Sequence, residues 1–349
     1  MADLRDLLGI RHPIVLGPFG GMSSVALTAA VSDSGGLGSY GLYGYDAERI
    51  RTTAAALRAA TSAPYSLNIW LPTGDEVAPG PEHARYAADL ADLFAEVGID
   101  LPERPERYLP TLDEQLEVIW EARPAVLSVV FGVPSAEVVD QAHRRGIRVL
   151  GTATTVAEAV ALEAGGVDAV VATGAEAAGH RVSFLKPAEE SLVGLVALVP
   201  QVADAVGIPV IAAGGIGDRR GVAAAFALGA AGVQVGTSFL ATTESAASEA
   251  HRHAIRTTAA DAGVLTRAMS GRLARGARNR AVAAIEASGA IAPFPAQNWL
   301  TGRFRAVAGQ RGLGELQSLW LGQSAPLARW DAAADVFAEL LAGVPAATG

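Results

Sequence analysis

Residues Pro209 to Leu240 read PVIAAGGIGDRRGVAAAFALGAAGVQVGTSFL. Five apolar or small residues, PVIAA, run into Gly214-Gly215. An Ala-rich helical segment follows, and a second apolar run, GVQVGTSFL, reaches Gly236-Thr237. The pattern is strand, turn, helix, strand, turn. Glycine at the end of each strand lets backbone N–H groups close on a ligand with no Cβ in the way, and the helix N-termini that follow favour an anion, so the expected ligand group is a phosphate. In eight-stranded α/β barrels the loops after strands seven and eight often build such a site. About 110 residues follow this unit, which suits those two ordinals. Read blandly, the same glycines would only make tight turns between strand and helix.

A barrel of this kind takes roughly 250 residues, so the chain of 349 leaves about 100 for an insertion or an appended subdomain. Half the residues are hydrophobic, 18% are charged and 39 are glycine, which describes a compact protein with many loops. The net charge of −9 argues against nucleic acid and anionic membrane as partners. With no cysteine, there are no disulfides, thiolate nucleophiles, iron–sulfur clusters or thiolate zinc sites. The start, MADLRDLLGIRHP, has no basic region leading into an apolar one, and the most apolar window, 192–213, is broken by Pro200, Gln201, Asp204 and Pro209. The expectation is a cytoplasmic protein, monomer or homodimer, acting on small molecules.

Working outward, eight strands are expected near residues 14, 37, 65, 126, 148, 169, 209 and 232, alternating with helices. Continuously apolar strands such as VLSVV and AVV read as parallel strands buried on both faces. The fold class predicted is therefore a (β/α)8 TIM barrel. Ile14 to Gly17 leads into Pro18-Phe19-Gly20-Gly21, with Ser23 as the cap of a helix to about Ser34. Gly36 to Gly41 matches G-x-G-x-x-G but follows a helix and enters a strand, the wrong context for a dinucleotide fingerprint. Six prolines between Pro72 and Pro110 flank one helix, His83 to Val97, and read as an elaborated loop over the catalytic face. After Leu240 only helices are expected, which makes 241–310 a helical subdomain and 1–240 plus 311–349 the barrel. The Arg272, Arg275, Arg278, Arg280 run reads as a solvated or internally paired face, with anion binding as its alternative.

Among six histidines, His251 and His253 sit two apart on a helix and are poor metal partners, and His12, His83 and His143 belong to no motif. His180 ends TGAEAAGH just past a strand, at the C-terminal rim where barrel active sites lie, and can serve there as base or hydrogen-bond donor. Glu176, four residues earlier, reads as an orienting or structural carboxylate. No HExxH, GxSxG or P-loop pattern occurs, and no metal-binding set is expected. The chemistry is left to a phosphate-bearing cofactor. Flavin mononucleotide (FMN) fits, its phosphate on Gly215 and Gly236-Thr237 and its ring towards the barrel mouth.

The segments HPIVLGPFGGMSS, SLNIWLP, ATGAEAAGH, PVIAAGGIGD, VQVGTSFL and GRLARGARNR resemble, in order and spacing, the nitronate monooxygenase family, formerly called 2-nitropropane dioxygenases. The resemblance runs from about residue 8 to 325. It implies an FMN-dependent barrel enzyme that oxidises alkyl nitronates with dioxygen to nitrite and a carbonyl compound. By position it implies FMN contacts from the first-strand loop Gly17, Pro18 and Phe19, and from Asn68, Thr152 and Thr173. Ala178 and Gly179, then Gly214 and Gly215, then Gln234, Val235, Gly236 and Thr237 complete the set, with His180 as the catalytic histidine. Thr173, Ala178 and Phe19 stand where family members often carry Gln, Gly and Met. Alternatives are a related flavoenzyme using NAD(P)H, such as an enoyl-thioester reductase, a flavin-binding scaffold without turnover, and a non-flavin isomerase or lyase.

Overall fold

The computed structural model describes residues 3–346. Its strands are β1 (Ile14–Leu16), β2 (Gly38–Gly41), β3 (Tyr65–Trp70), β4 (Val126–Val130), β5 (Arg148–Ala153), β6 (Ala169–Thr173), β7 (Gly179–His180), β8 (Val210–Ala213), β9 (Gly232–Val235), β10 (Gly263–Thr266) and β11 (Ala274–Ala277). Eight of them form one parallel sheet in the order β1-β9-β8-β6-β5-β4-β3-β2, and a bridge between Val15 and Leu37 closes it into a barrel. All eight expected strands are present.

Side chains alternate across each strand, and the alternation separates two apolar cores. Val15, Val126, Leu150, Val171 and Ile211 point into the barrel, where the N-terminal helix Leu4–Leu8 packs against their lower end. The other phase, Leu16, Leu67, Ile69, Val129, Val149, Val170, Ala212 and Val235, packs against the surrounding helices. Followed upward, the inward phase changes character: Leu150 gives way to Thr152, Val171 to Thr173 and Val126 to Ser128, while Asn68 and Gln234 hold the matching positions on β3 and β9. The barrel is apolar at its base and polar at the strands' C-terminal end.

Ser24, not Ser23, caps the helix Val25–Asp33 by accepting from the Leu27 N–H. The Ser23 hydroxyl instead accepts from the Phe19 and Gly41 N–H groups and donates to the Phe19 carbonyl, which fixes the loop after β1. Adjacent serines differ here because only one can sit where the chain turns from extended to helical.

The region after β9 departs from expectation. It is not purely helical: β10 and β11 form an antiparallel pair, and β11 also pairs with β7, joining Ala274 to His180 and Arg275 to Gly179. The stretch GRLARGARNR is too rich in arginine to look like a strand, yet it is one, because its four-residue core ARGA alternates small buried residues with Arg275. The region does not build its apolar core alone either. Leu93, Phe94 and Val97 pack with Met269, Ile285, Leu300, Phe304 and Leu316, so the proline-flanked segment and the region after β9 form one cap. The helix expected over His83 to Val97 is split into His83–Ala88 and Ala91–Glu96. Residues 1–2 and 347–349, the outer limits of the expected barrel portion, lie outside the described residues.

Candidate active site

A cavity of about 1120 Å³ lies between the barrel mouth and the cap. Gly17, Pro18 and Phe19 line it from the loop after β1, Asn68 from β3, Thr152 from β5 and Thr173 from β6. Ala178, Gly179 and His180 enter from the next loop, Gly214 and Gly215 from the turn after β8, and Gln234, Gly236 and Thr237 from β9 and its turn. The structure thus brings together every residue the sequence proposed for the site except Val235. Val235 is one step out of phase with Gln234, so its side chain lies in the outer core, and its carbonyl accepts from the Gly17 N–H.

The lower end of the cavity is built from backbone. Gly214 and Gly215 have φ of 94° and 71°, which side-chain-bearing residues rarely adopt. The N–H groups of Gly215 and Gly236 have no protein acceptor among the described residues. The expected help from helix termini is slight: Gly236 is the N-cap of a helix of one turn, Thr237–Leu240, and the helix after Gly215 starts only at Arg219. The cradle is made mainly of loop amides. Thr237 Oγ1 accepts from the Gly322 N–H at 3.1 Å, which brings Gly322 and Ser324 of the C-terminal segment to the same end. Glu176 is structural: both of its oxygens accept from the Leu195 N–H.

Asn68, 3% exposed, donates from Nδ2 to the Ser128 hydroxyl at 2.8 Å and to the Ser128 carbonyl, which leaves its Oδ1 without a protein donor among the described residues. Beside it, Trp70 meets the edge of His180 at 4.8 Å between ring centres, and Phe131 and Trp320 complete the enclosure of the imidazole. Burial, with the charges of Arg272 and Arg305, pushes His180 down to about 3, so the ring is neutral at physiological pH. Its Nε2 lies 2.8 Å from Ser270 Oγ, and that hydroxyl directs its one proton to the Arg272 carbonyl. Nε2–H is then the donor to Ser270, and Nδ1 keeps the lone pair.

The basic stretch is internally paired. Arg272 bonds Asp75 and Glu76 while its guanidinium lies over Phe294, Arg278 pairs with Glu286, and Arg280 pairs with Glu96. Arg275 donates to the carbonyls of Ala175 and Gly263. Other histidines are spent on structure: His83 is buried, bonded to Tyr108 and to the Pro102 carbonyl, and His251 donates Nε2–H to the Trp320 carbonyl. His251 also lines the cavity, a placement with no signal in the sequence. Sequence reasoning further missed Tyr43, Asn298 and Arg305. Tyr43 lies just beyond β2, whereas Asn298 and Arg305 come from the cap helix Ala296–Gln310 and carried no motif.

No carboxylate lines the cavity among the described residues, although the chain carries 36 acidic residues against 27 basic ones. Arg49, Arg303 and Arg305 do line it. An anionic ligand is favoured there against the charge of the whole protein. The family model for nitronate monooxygenase matches residues 2–343. The chain belongs to the nitronate monooxygenase family. A "Probable nitronate monooxygenase" of Staphylococcus aureus strain JH9 is 38% identical over 332 residues, 93% of this chain and 92% of the relative. Nitroalkane oxidase from Streptomyces ansochromogenes superposes with a TM-score of 0.85 at 36% identity, covering 97% of this chain and 96% of that one. FabK from Thermotoga maritima has a TM-score of 0.75 at 29% identity, covering 97% and 94%. Nitronate monooxygenases are flavin-dependent oxidoreductases acting on small molecules, and this chain is an enzyme of that kind. Among the described residues, no helix is long and apolar enough to cross a membrane.

Proposed function

We propose that the chain binds FMN and oxidises alkyl nitronates with dioxygen: the carbon–nitrogen bond breaks, oxygen is added at carbon, and nitrogen leaves as nitrite. The observation that carries this reading is a single cavity, free of carboxylate, joining a glycine cradle for a phosphate at one end to a neutral histidine at the other. Its volume exceeds the several hundred Å³ typical of small-molecule sites, so a mononucleotide and a small substrate fit together.

The residues present fit FMN. Gly215 and Gly236 offer unpaired N–H donors and no Cβ, as a phosphate monoester requires. Asn68 Oδ1, Thr152, Thr173 and Gln234 offer polar atoms where the inward strand positions end, as a flavin ring edge requires. When bound, the flavin supplies the electron acceptor. The chain supplies the setting: Arg49, Arg303 and Arg305 favour the nitronate anion, and Trp70, Phe131 and Trp320 keep water from the reacting carbon. Nδ1 of His180 is free to take the proton of a neutral nitroalkane, which must lose it to become a nitronate. A nitronate asks for no base.

Similarity to FabK at 29% identity keeps one other reading in view, a flavin reductase fed by NAD(P)H. Mixing the purified yellow protein anaerobically with NADH in one cuvette and with a nitronate in another separates the two. Bleaching by the nitronate and not by NADH is expected; bleaching by NADH alone would overturn the reading. Mass spectrometry of the released chromophore is expected to give FMN, and FAD would count against the single-phosphate cradle.

A further inference from the structure

The cavity's cap side holds a charge without a counter-charge. Arg305 has no ion-pair partner among the described residues, and burial lowers it to about 10, so it remains a cation at neutral pH. Its Nη1 donates to Ser318 Oγ at 2.5 Å, and its Nη2 donates to Asn298 Oδ1 at 2.7 Å and to the Asn298 carbonyl at 3.2 Å. A guanidinium has donors only, so the atom of Asn298 facing it must be the amide oxygen. This fixes the orientation of the amide without ambiguity: Nδ2 faces the other way and donates to Tyr43 Oη at 2.9 Å.

The consequence falls on Tyr43. A phenol oxygen that accepts from an amide cannot also give its proton to that amide. The bond from Asn298 is the only protein hydrogen bond of Tyr43 Oη among the described residues, so the O–H is left unspent. Tyr43 lines the cavity, and its ring lies on Trp70 with centroids 4.2 Å apart, the same Trp70 that His180 meets at 4.8 Å. We infer that Tyr43 binds substrate: its O–H, held ready by the Arg305–Asn298 relay, donates to an oxygen of the nitronate bound beside His180. Asn298 and Arg305 are then positioning residues. Burial pushes the Tyr43 phenol up to about 12, which keeps the proton in place at any working pH. The inference rests on the nitronate reading above and deepens it.

The test uses the flavin-loaded enzyme with two substrates, the nitronate of 2-nitropropane prepared at high pH and 2-nitropropane itself. Tyr43→Phe keeps the ring on Trp70 and removes the donor. A nitronate is already anionic when it binds, so its KM should rise roughly 10- to 100-fold, the range for one hydrogen bond to a charged group, with kcat nearly unchanged. With the neutral nitroalkane the charge develops only as the proton leaves, so kcat should fall instead. Flavin content should equal that of the wild type, and the loss should be flat from pH 6 to 10. Asn298→Leu should cost several-fold on its own and nothing further in the Tyr43→Phe background, because it acts through Tyr43; additive losses would overturn the relay. A wild-type KM in Tyr43→Phe overturns the inference while leaving the nitronate reading intact. Loss of flavin in Tyr43→Phe also overturns it, by making Tyr43 a cofactor contact. A wild-type enzyme that turns over no nitronate removes both.

Discussion

Ala274 on β11 sits directly opposite His180 on β7, so the backbone of the candidate catalytic histidine is held by the arginine-rich stretch that follows the barrel. The ring is held separately, by Ser270 immediately before that stretch. Ser270→Ala leaves Nε2 without its partner while the strand pairing stays. One neutral hydrogen bond is worth about 0.5–1.5 kcal/mol, so turnover of a neutral nitroalkane, the substrate that needs the ring as a base, should fall roughly 2- to 10-fold at constant flavin content. Unchanged turnover would mean that Trp70, Phe131 and Trp320 fix the ring by packing alone.

The glycine cradle gives two variants that separate strain from occupied space. Gly215 has φ of 71°, and a Cβ there would stand 3.4 Å from Glu176 Cβ; valine adds backbone strain of about 1–3 kcal/mol to the loss of ligand space. Gly236 has φ of −108°, and its added Cβ would make ordinary contact with Phe19 at 3.5 Å. Gly236→Val should therefore purify folded, with a melting temperature close to that of the flavin-free wild type, and with little flavin. Gly215→Val should lose flavin and stability together. Full flavin content in either would place the phosphate elsewhere.

The barrel was legible because its signal is local. Runs such as VLSVV and PVIAA bounded by glycine identify parallel strands, and the loops at their ends follow from the fold. The rim residues Asn68, Thr152, Thr173 and Gln234 followed from the family resemblance and not from local pattern, and Val235 is the exception because a motif names neighbours whereas a strand presents alternate faces. The cap was not legible. Its core joins Phe94 to Phe304 across about 200 residues, and its strand β11 is recognisable only by its pairing with β10 and β7. Asn298 and Arg305 share one cap helix, and Tyr43, 255 residues earlier than Asn298, meets them only through that cap.

His251 makes stability depend on acid. Burial lowers it to about 4 against an ordinary value of 6.5, despite the Trp320 carbonyl that raises it. A base depressed by folding binds its proton more readily when unfolded, so its contribution is complete above pH 6.5 and is lost as pH falls towards 4. By pH 5.5 the loss is about 1 kcal/mol. His180, lowered still further, acts in the same direction. His251→Gln keeps a donor for the Trp320 carbonyl and does not titrate. Its melting temperature should decline less than that of the wild type between pH 7.5 and 5.5; parallel declines would show that His251 stays neutral or is solvated in both states.

The last expectation concerns what His180 does. A neutral nitroalkane must lose the proton on the carbon bearing the nitro group, and His180, whose Nδ1 keeps its lone pair, lines the cavity where that carbon would sit. His180→Ala should keep flavin and slow neutral nitroalkane oxidation roughly 10²- to 10⁴-fold, as loss of a positioned base does. A preformed nitronate has no proton to give up, and the neutral ring has none left to donate to it, so the decrease there should be far smaller. The environment sharpens the test. Burial, Arg272 and Arg305 keep the ring unprotonated well below the usual histidine range, so kcat/KM for the nitroalkane in the wild-type enzyme should show no acid limb near pH 6.5. The same burial makes the protonated ring costly to form, so the neutral nitroalkane should be a much slower substrate than its nitronate even in the wild type. Equal losses on both substrates in His180→Ala would assign the ring to positioning. A limb near 6.5 that vanishes with the histidine would mean that the ring is more solvated in the working enzyme than its enclosure by Trp70, Phe131 and Trp320 implies.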